Sequence, residues 1–199
     1  MDLTRSTIRR WGDGLVGEEA VSDRDRSDAA LVRAARAGSE PALEALFRRH
    51  WRRAHHAAYL VCLDRAGAED IAQEAFLAAV RSLERFDHRR PFAPWLHRIV
   101  VNRAIDWTRM RAARHEITTD AAIAPSSAPD RTPGQADELV LALGELSPDH
   151  RAVIVMRYIE DLSPGEIARA LGLPRGTVNS RLRRALDKLS RQLDREQVR

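Results

Sequence analysis

Apolar residues recur every three to four positions through most of this chain, and this spacing constrains the fold more than any other feature. Several of these runs begin at helix-start signals. Ser39 with Pro41 precedes one run, Ser147-Pro148 precedes another, and Ser163-Pro164-Gly165-Glu166 has the form of a capping box with proline at the first helical position. No segment shows the two-residue alternation that a half-buried strand requires. The sequence therefore predicts an all-α fold.

Composition excludes several classes of protein. The single cysteine, Cys62, rules out an internal disulfide framework, and no run of about 18 apolar residues is present to span a membrane. Residues 1–27 lack the apolar stretch of a secretory signal. We therefore expect a soluble, cytoplasmic chain with no membrane insertion.

Signals for catalysis or metal binding are weak. His50, His55 and His56 lie close together in the sequence, but in an arginine-rich helix without a convincing set of acidic partners. The sequence has no glycine-rich phosphate loop, no H-E-x-x-H motif and no G-x-S-x-G motif. We predict no catalytic residue, no metal site and no cofactor.

Composition also divides the chain into two small helical domains. Residues 115–137 contain three prolines and few large apolar side chains, so we predict a flexible linker there. Residues 1–27 are expected to form a polar, flexible extension, and residues 194–199 a short tail. The first domain then spans 28–114 and the second spans 138–193.

Within the first domain the sequence predicts a series of helices. Asp28 is expected to cap the first of them, and a later helix is expected over about 68–86. Two prolines precede a short helix that contains residues 95–100. Asn102 lies where the apolar periodicity is interrupted, which predicts a loop before a last helix over about 105–114.

The net charge of +4 conceals two strongly basic blocks. Residues 81–114 and residues 167–199 each hold nine basic and three acidic residues, whereas 115–137 and 138–166 have net charges of −3 and −4. Of the 33 basic residues 32 are arginine, whose planar group suits phosphates and base edges, although genome composition also produces such an excess. Two basic blocks indicate a protein that grips a polyanion at two places.

The second basic block contains the spacing of a helix-turn-helix. Ala168 allows two helices to cross closely, Gly172 takes the turn four positions later, and Val178 anchors the second helix. We expect Leu182 and Leu186 to be buried as well. A purely structural helical hairpin has the same turn, but the basic block favours DNA binding. The opposite face carries side chains that can bond base edges and phosphates: Arg175, Thr177, Asn179, Ser180, Arg183 and Arg184.

Two polar patterns stand out in the first domain. Asp70, Gln73 and Glu74 share one helix face, which a solvated surface explains as well as a binding site does. The stretch that follows mixes arginines with aromatic residues, a composition typical of single-strand binding, although the aromatic side chains also suit a core. This stretch includes Arg81, Arg85, Phe86, Phe92, Trp95, Arg98, Arg103 and Trp107.

In this order the motifs resemble those of an extracytoplasmic-function (ECF) RNA polymerase sigma factor. D-x-x-Q-E at Asp70–Glu74 and P-F-x-P-W-L-x-R-I-x-x-N-x-x-x-D at Pro91–Asp106 are similar to sigma region 2. L-S-P-x-x-R-x-V-x-x-x-R-Y at Leu146–Tyr158, together with the helix-turn-helix, is similar to region 4. The resemblance covers roughly 28–114 and 138–193 and implies a helical bundle followed by a helix-turn-helix domain.

The resemblance also implies a function and its partners. A sigma factor of this kind binds core RNA polymerase through the β′ clamp and the β flap, recognises the −10 and −35 promoter elements and helps to open promoter DNA. An anti-sigma protein is a further expected partner. The implied core-binding residues are Asp70, Gln73 and Glu74. The implied −10 residues are Arg81, Arg85, Trp95, Arg98, Asn102, Arg103 and Asp106, and the implied −35 residues are Arg175, Thr177, Asn179, Ser180, Arg183 and Arg184.

Two of the implied −10 positions carry further expectations. In relatives, the position of Asn102 lies in a loop that holds a base flipped out of the duplex, a step that costs a few kcal/mol of stacking. Housekeeping relatives open the duplex with a pair of aromatic residues, whereas this chain has Trp95 and Leu96 there. We therefore expect weak melting power and a strict need for well-matched promoters.

A helix-turn-helix transcriptional regulator is the alternative. Such a protein has an N-terminal sensing domain and binds duplex DNA without being a polymerase subunit. The basic, aromatic-bearing stretch over 81–114 argues against it, because a sensing domain does not need to hold single-stranded DNA. Co-purification with core polymerase separates the two functions.

Overall fold

The computed structural model describes residues 27–117 and 135–197, and within those ranges it contains helices and no strand. This confirms the predicted all-α class. We call the helices up to Ile117 the first helical group and those from Gln135 the second. The helices are α1 (Asp28–Arg36), α2 (Glu40–Cys62), α3 (Arg65–Ser82), a 3-10 turn (Leu83–Arg85), α4 (Phe92–Ile117), α5 (Gln135–Gly144), α6 (Pro148–Ile154), a π-helical turn (Val155–Ile159), α7 (Pro164–Leu171) and α8 (Arg175–Gln197).

The helix starts follow local capping chemistry. Ser39 caps α2 by accepting a hydrogen bond from the Ala42 amide. The capping box of α7 is complete, because Ser163 and Glu166 each bond the other's backbone amide. The prediction that Asp28 caps the first helix was wrong. Ser27 takes that position, and Asp28 is the first helical residue.

The basic stretch forms one helix where the sequence predicted two. α4 runs without a break from Phe92 to Ile117, so Asn102 lies inside a helix and the predicted loop at this position was wrong. The physical reason is a continuous buried stripe that spans the expected break and holds the helix against the core. Its members are Leu96, Val100, Val101, Ala104 and Ile105.

Helices of the structure extend into the segments expected as linker and tail. α4 extends three residues past the predicted domain end at residue 114, and α5 begins at Gln135, inside the predicted linker. Residues 194–197, expected as part of a tail, belong to α8. The rest of the predicted linker, 118–134, and the predicted extension up to residue 26 lie outside the described residues.

The first helical group packs around α2, α3 and α4, which contact one another along their lengths. The rings of Phe47, Trp51 and Phe76 pack at the centre of this group, with the Phe47 and Trp51 rings stacked at a centroid distance of 4.8 Å. The two groups are also in contact, since α6 packs against α2 and α4, and α7 packs against α4. The interface between the groups therefore lies directly on the helix that carries most of the predicted −10 residues.

Candidate polymerase and nucleic-acid interface

The predicted core-binding residues lie on the outer face of α3. Asp70 is exposed, whereas Gln73 and Glu74 are partly buried. Gln73 donates a hydrogen bond to Glu69, and Glu74 forms an ion pair with Arg103 of α4 at 3.2 Å. The structure thus brings a predicted core-binding carboxylate together with a predicted −10 arginine. Exposed ion pairs of this kind contribute little to stability, so both side chains can exchange partners.

The predicted −10 arginines lie on three elements of the first helical group. Arg81 lies in the last turn of α3, Arg85 is the last residue of the 3-10 turn, and Arg98 lies in α4. All three side chains are exposed, and so is the carboxylate of Asp106 further along α4. Arg103 differs from these three arginines because it forms an ion pair with Glu74.

Trp95 belongs to an aromatic cluster beside this surface. Its ring lies 4.5 Å from that of Phe86 and 5.5 Å from that of Phe92, both of which are buried. Trp95 itself is only partly buried, while Leu96 beside it is fully buried. Of the aromatic residues in this stretch, Trp95 and the partly buried Trp107 therefore keep an accessible edge.

Asn102 faces the second helical group. Its side-chain amide donates a hydrogen bond to the backbone carbonyl of Ala170 in α7, with an Nδ2–O distance of 3.2 Å. The residue is partly buried by this contact. The structure thus places this predicted base-contacting side chain against the helix-turn-helix.

The predicted helix-turn-helix is confirmed in its local geometry. Gly172 ends α7 with a φ of +64°, a left-handed conformation that glycine adopts without strain. The Leu173 amide then bonds the Ala168 carbonyl at 2.9 Å, which closes the turn. Val178 is fully buried and anchors α8 against α7, as its spacing predicts.

The outer face of α8 carries the predicted −35 residues. The Ser180 hydroxyl donates to the Thr177 carbonyl within the same helix, which leaves its oxygen free to accept a hydrogen bond. Leu186 was expected to be buried, but it is 40% exposed, so that prediction was wrong. Thr177 is partly buried, and the other predicted side chains are exposed: Arg175, Asn179, Ser180, Arg183 and Arg184.

Sequence reasoning missed a buried polar cluster between the two groups. His97 of α4 is fully buried and contacts the carboxylate of Glu160, which directly follows the π-helical turn. Arg53 of α2 reaches the same carboxylate oxygen, with an Nε–Oε2 distance of 3.1 Å. The spacing of His97 with Val101 and Ala104 marks it as a buried position, but no sequence signal pairs it with a residue 63 positions away.

The protonation of this cluster follows from its burial. Burial removes His97 from water and lowers the pKa of its imidazole to about 3. Electrostatic repulsion from Arg53 and His50 acts in the same direction, so the imidazole is neutral. A neutral imidazole carries one ring proton, so His97 Nδ1 either donates a hydrogen bond to the Glu160 carboxyl group or accepts one from it.

Two further titratable side chains, His50 and Cys62, are buried in the first helical group. His50 bonds Asp28 at 2.9 Å, and burial lowers its pKa. Burial raises the pKa of the Cys62 thiol to about 11. Within residues 27–117 and 135–197 no three histidine, cysteine, aspartate or glutamate side chains are grouped to hold a metal ion. No helix in those ranges is long and apolar enough to cross a membrane.

Comparison with known proteins decides the family. Residues 46–114 match the family model described as Sigma-70 region 2, and residues 136–189 match the one described as Sigma-70, region 4. The chain is 37% identical over 171 residues to the ECF RNA polymerase sigma factor SigM of Mycobacterium tuberculosis, covering 85% of this chain and 86% of that protein. The chain belongs to the ECF sigma factors.

Further relatives of this sigma factor agree in sequence and in fold. The RNA polymerase sigma factor CarQ of Myxococcus xanthus is 34% identical over 160 residues, covering 77% of this chain and 90% of that protein. The structure of CnrH in complex with the cytosolic domain of CnrY matches with a TM-score of 0.62 at 33% identity, covering 84% of this chain and 97% of that one. The sigma factor RpoE of Bartonella quintana shares the fold, with a TM-score of 0.59 at 24% identity over 71% of this chain and 89% of that one.

Membership of this family also decides between the two functions that the sequence left open. The chain is a sigma factor that acts in transcription initiation, and its second helical group is the DNA-binding region 4. A helix-turn-helix regulator independent of polymerase is not favoured, because residues 46–114 match sigma region 2.

Proposed function

We propose that this sigma factor uses three surfaces: the α3 face for core polymerase, the exposed arginines of the first helical group for the −10 element, and the outer face of α8 for the −35 element. The observation that carries this assignment is the separation of two exposed arginine surfaces. One lies within the segment similar to sigma region 2, and the other within the segment similar to region 4. In the two sequence blocks that carry these surfaces, 81–114 and 167–199, basic residues outnumber acidic ones by nine to three.

For core binding, we propose that Asp70, Gln73 and Glu74 contact the coiled coil of the polymerase β′ clamp, and that region 4 contacts the β flap. Of the two carboxylates in this set, that of Asp70 is the more accessible. A carboxylate at the rim of an interface governs the association rate and the choice of partner more than the final affinity. Because Glu74 is paired with Arg103, core binding and the −10 surface are physically adjacent.

For the −10 element, we propose that Arg81, Arg85, Arg98 and Arg103 follow the DNA backbone. Asn102 and Trp95 contact unpaired bases, and Asp106 lies at the edge of the same surface. Arginine tracks phosphates, while an amide and an aromatic edge supply the hydrogen bonds and stacking that compensate for unstacking a base. Asn102 reaches the DNA only after it leaves the Ala170 carbonyl.

For the −35 element, we propose that the N-terminal half of α8 enters the major groove. The residues that face the DNA in this arrangement combine guanidinium, amide and hydroxyl groups, which are the groups that read base edges and phosphates there. They are Arg175, Thr177, Asn179, Ser180, Arg183 and Arg184.

We propose that the chain is cytoplasmic, carries no catalytic centre or cofactor and leaves RNA synthesis to the polymerase. An anti-sigma protein is the proposed regulatory partner. The sigma factor RpoE of this fold has been solved in complex with the anti-sigma factor NepR, and CnrH, which also has this fold, in complex with the cytosolic domain of CnrY. We further propose that the two binding activities belong to separate domains over residues 28–114 and 138–193.

The experiment that tests core binding is co-elution of the full chain with core polymerase in size-exclusion chromatography. The parent chain is expected to co-elute, and Asp70→Arg to weaken the complex by about tenfold, equivalent to roughly 1.4 kcal/mol. Glu40→Arg, an equal charge reversal at an exposed position of the first helical group outside α3, is the matched control and is expected to bind as the parent does. A chain that never co-elutes contradicts the proposed function, and an Asp70→Arg variant that binds normally contradicts only the site.

A further inference from the structure

The interface between the two helical groups is joined by polar contacts rather than by a purely apolar seam. Arg53 donates to the Ile159 carbonyl at 2.8 Å in addition to its contact with Glu160. Further along α4, the hydrogen bond from Asn102 and an ion pair from Arg109 reach the second group. The contacts are His97–Glu160, Arg53–Glu160, Arg53–Ile159, Asn102–Ala170 and Arg109–Asp149.

Glu160 occupies the centre of this interface because of the local backbone. The π-helical turn ends there, and the Glu160 amide bonds the Val155 carbonyl at 3.0 Å. Asp161 then adopts a left-handed φ of +53°, which turns the chain sharply toward α7. The Glu160 side chain is 2% exposed and extends to α2 and α4 of the first group.

The partners of Glu160 lie on the other helical group. In the described part of the chain, every hydrogen-bond and ion-pair partner of its carboxylate belongs to the first group: His97 and Arg53. The pairing is also incomplete, because Glu160 Oε1 and His97 Nε2 are buried without a hydrogen-bond partner among the described residues. Burying the Glu160 carboxyl group costs hydration free energy, and its incomplete hydrogen bonding recovers only part of that cost. The free energies of the closed and separated arrangements of the two groups are therefore similar.

We infer that Glu160, His97 and Arg53 form a latch that holds the helix-turn-helix against α4 in the free sigma factor and keeps Asn102 from promoter DNA. The latch rests on the proposed function only through the role of Asn102. While it is closed, the Asn102 amide is held by the Ala170 carbonyl. When it opens, the Glu160 carboxylate regains water, and α4 presents Asn102 and Arg109 to a ligand.

The latch leaves the −35 surface accessible. The outer face of α8 is exposed while the groups are in contact, since the interface uses α6, the π-helical turn and α7. The closed chain is therefore impaired for −10 recognition and not for −35 recognition. This asymmetry distinguishes a latch from a general occlusion of the DNA-binding surfaces.

The test measures the distance between the two groups in the full chain by single-molecule energy transfer. Donor and acceptor dyes are attached to Arg36→Cys in α1 and Ser190→Cys in α8, both exposed positions, in a Cys62→Ala background. Glu160→Gln is expected to raise the ratio of open to closed molecules about tenfold, as the loss of a charged hydrogen bond does. Arg53→Gln is expected to shift the ratio in the same direction.

Asp161→Asn is the matched control. It also converts a carboxylate to an amide, one position along, at an exposed residue, and asparagine tolerates the left-handed conformation found there. The control is expected to keep the distance distribution of the parent. Parent-like distributions for both Glu160→Gln and Arg53→Gln would overturn the latch. Because the Arg53 side chain is about half exposed, we expect Arg53→Gln to fold. This variant therefore still tests the latch if Glu160→Gln fails to fold.

Promoter opening provides the second readout. With core polymerase and a promoter that has a matched −10 element, Glu160→Gln is expected to form open complexes faster than the parent or Asp161→Asn. An open distance distribution without faster promoter opening would overturn the inhibitory role of the latch. If the parent itself supports no transcription, the proposed function fails, while the distance measurement still decides whether the latch exists.

Discussion

The Asn102 side chain donates a hydrogen bond to the Ala170 carbonyl, and this contact links the helix of the proposed −10 surface to the first helix of the helix-turn-helix. Its Nδ2–O distance of 3.2 Å is that of an ordinary hydrogen bond. The amide proposed to hold a promoter base is therefore occupied within the free protein. Promoter binding must replace this internal partner with a base edge.

Asn102→Ala is expected to reduce discrimination between a matched and an altered −10 base by about 1–3 kcal/mol, the value of a good side-chain contact to a base. Affinity for core polymerase is expected to stay unchanged, because the α3 face is intact. Competition between promoter variants in a transcription assay measures the effect. Met110→Ala, an exposed position on the same helix, is the control. Full discrimination by Asn102→Ala would remove this residue from the proposed site.

Arg183 and Arg184 lie on the exposed face of α8, where each is proposed to contact the −35 element. Replacing either arginine with alanine is expected to weaken binding to a matched −35 element by about 1–3 kcal/mol if the contact is to a base. Titration of matched and scrambled duplexes at two salt concentrations measures it. Equal losses on both duplexes would instead indicate a phosphate contact. Arg191→Ala, near the other end of α8, controls for the loss of charge.

Leu96 is fully buried, so of the pair Trp95-Leu96 only Trp95 is placed to wedge between bases. Transcription from a promoter with a mismatched −10 element is therefore expected to fall far below that from a matched one. A template with an unpaired bubble at the −10 element is expected to restore it, because unstacking no longer costs free energy. Equal activity on matched and mismatched duplex templates would contradict weak melting power.

Gly67 packs against the ring of Trp107, and a Cβ at this position would lie 2.5 Å from Trp107 Cζ2. Gly67→Ala is therefore expected to lower the free energy of unfolding by about 1–3 kcal/mol through overpacking, measured by urea denaturation. Gly165→Ala, where an added Cβ meets no atom within 4 Å, is the matched control and is expected to be neutral or slightly stabilising. A Gly67→Ala variant as stable as the control would show that Trp107 can move aside.

The sequence predicts the parts of this fold that depend on local chemistry. The capping box at Ser163 and Glu166 formed as expected, because its hydrogen bonds join residues three positions apart. The helix-turn-helix also followed from spacing alone, with Gly172 in the left-handed conformation and Val178 buried. The residues that make these contacts are close together in the sequence.

The missed features depend on contacts between distant segments. Asn102 was expected in a loop because it is polar within an apolar run, yet packing on both sides keeps α4 helical through it. The contact of His97 with Glu160 joins residues of the two helical groups that are 63 positions apart in the sequence. The length of the chain between the groups does not indicate how they pack against each other. Periodicity identifies which side of a helix is buried, but it does not identify what covers that side.

The most direct test of the central claim is in vitro transcription with core polymerase on genomic promoter fragments. Core polymerase alone is expected to give no specific transcript. Addition of this chain is expected to yield discrete transcripts that begin downstream of paired −35 and −10 elements, and that are lost when either element is scrambled. A chain that binds these fragments as duplex DNA, but yields no transcript with core polymerase, would contradict its function as a sigma factor.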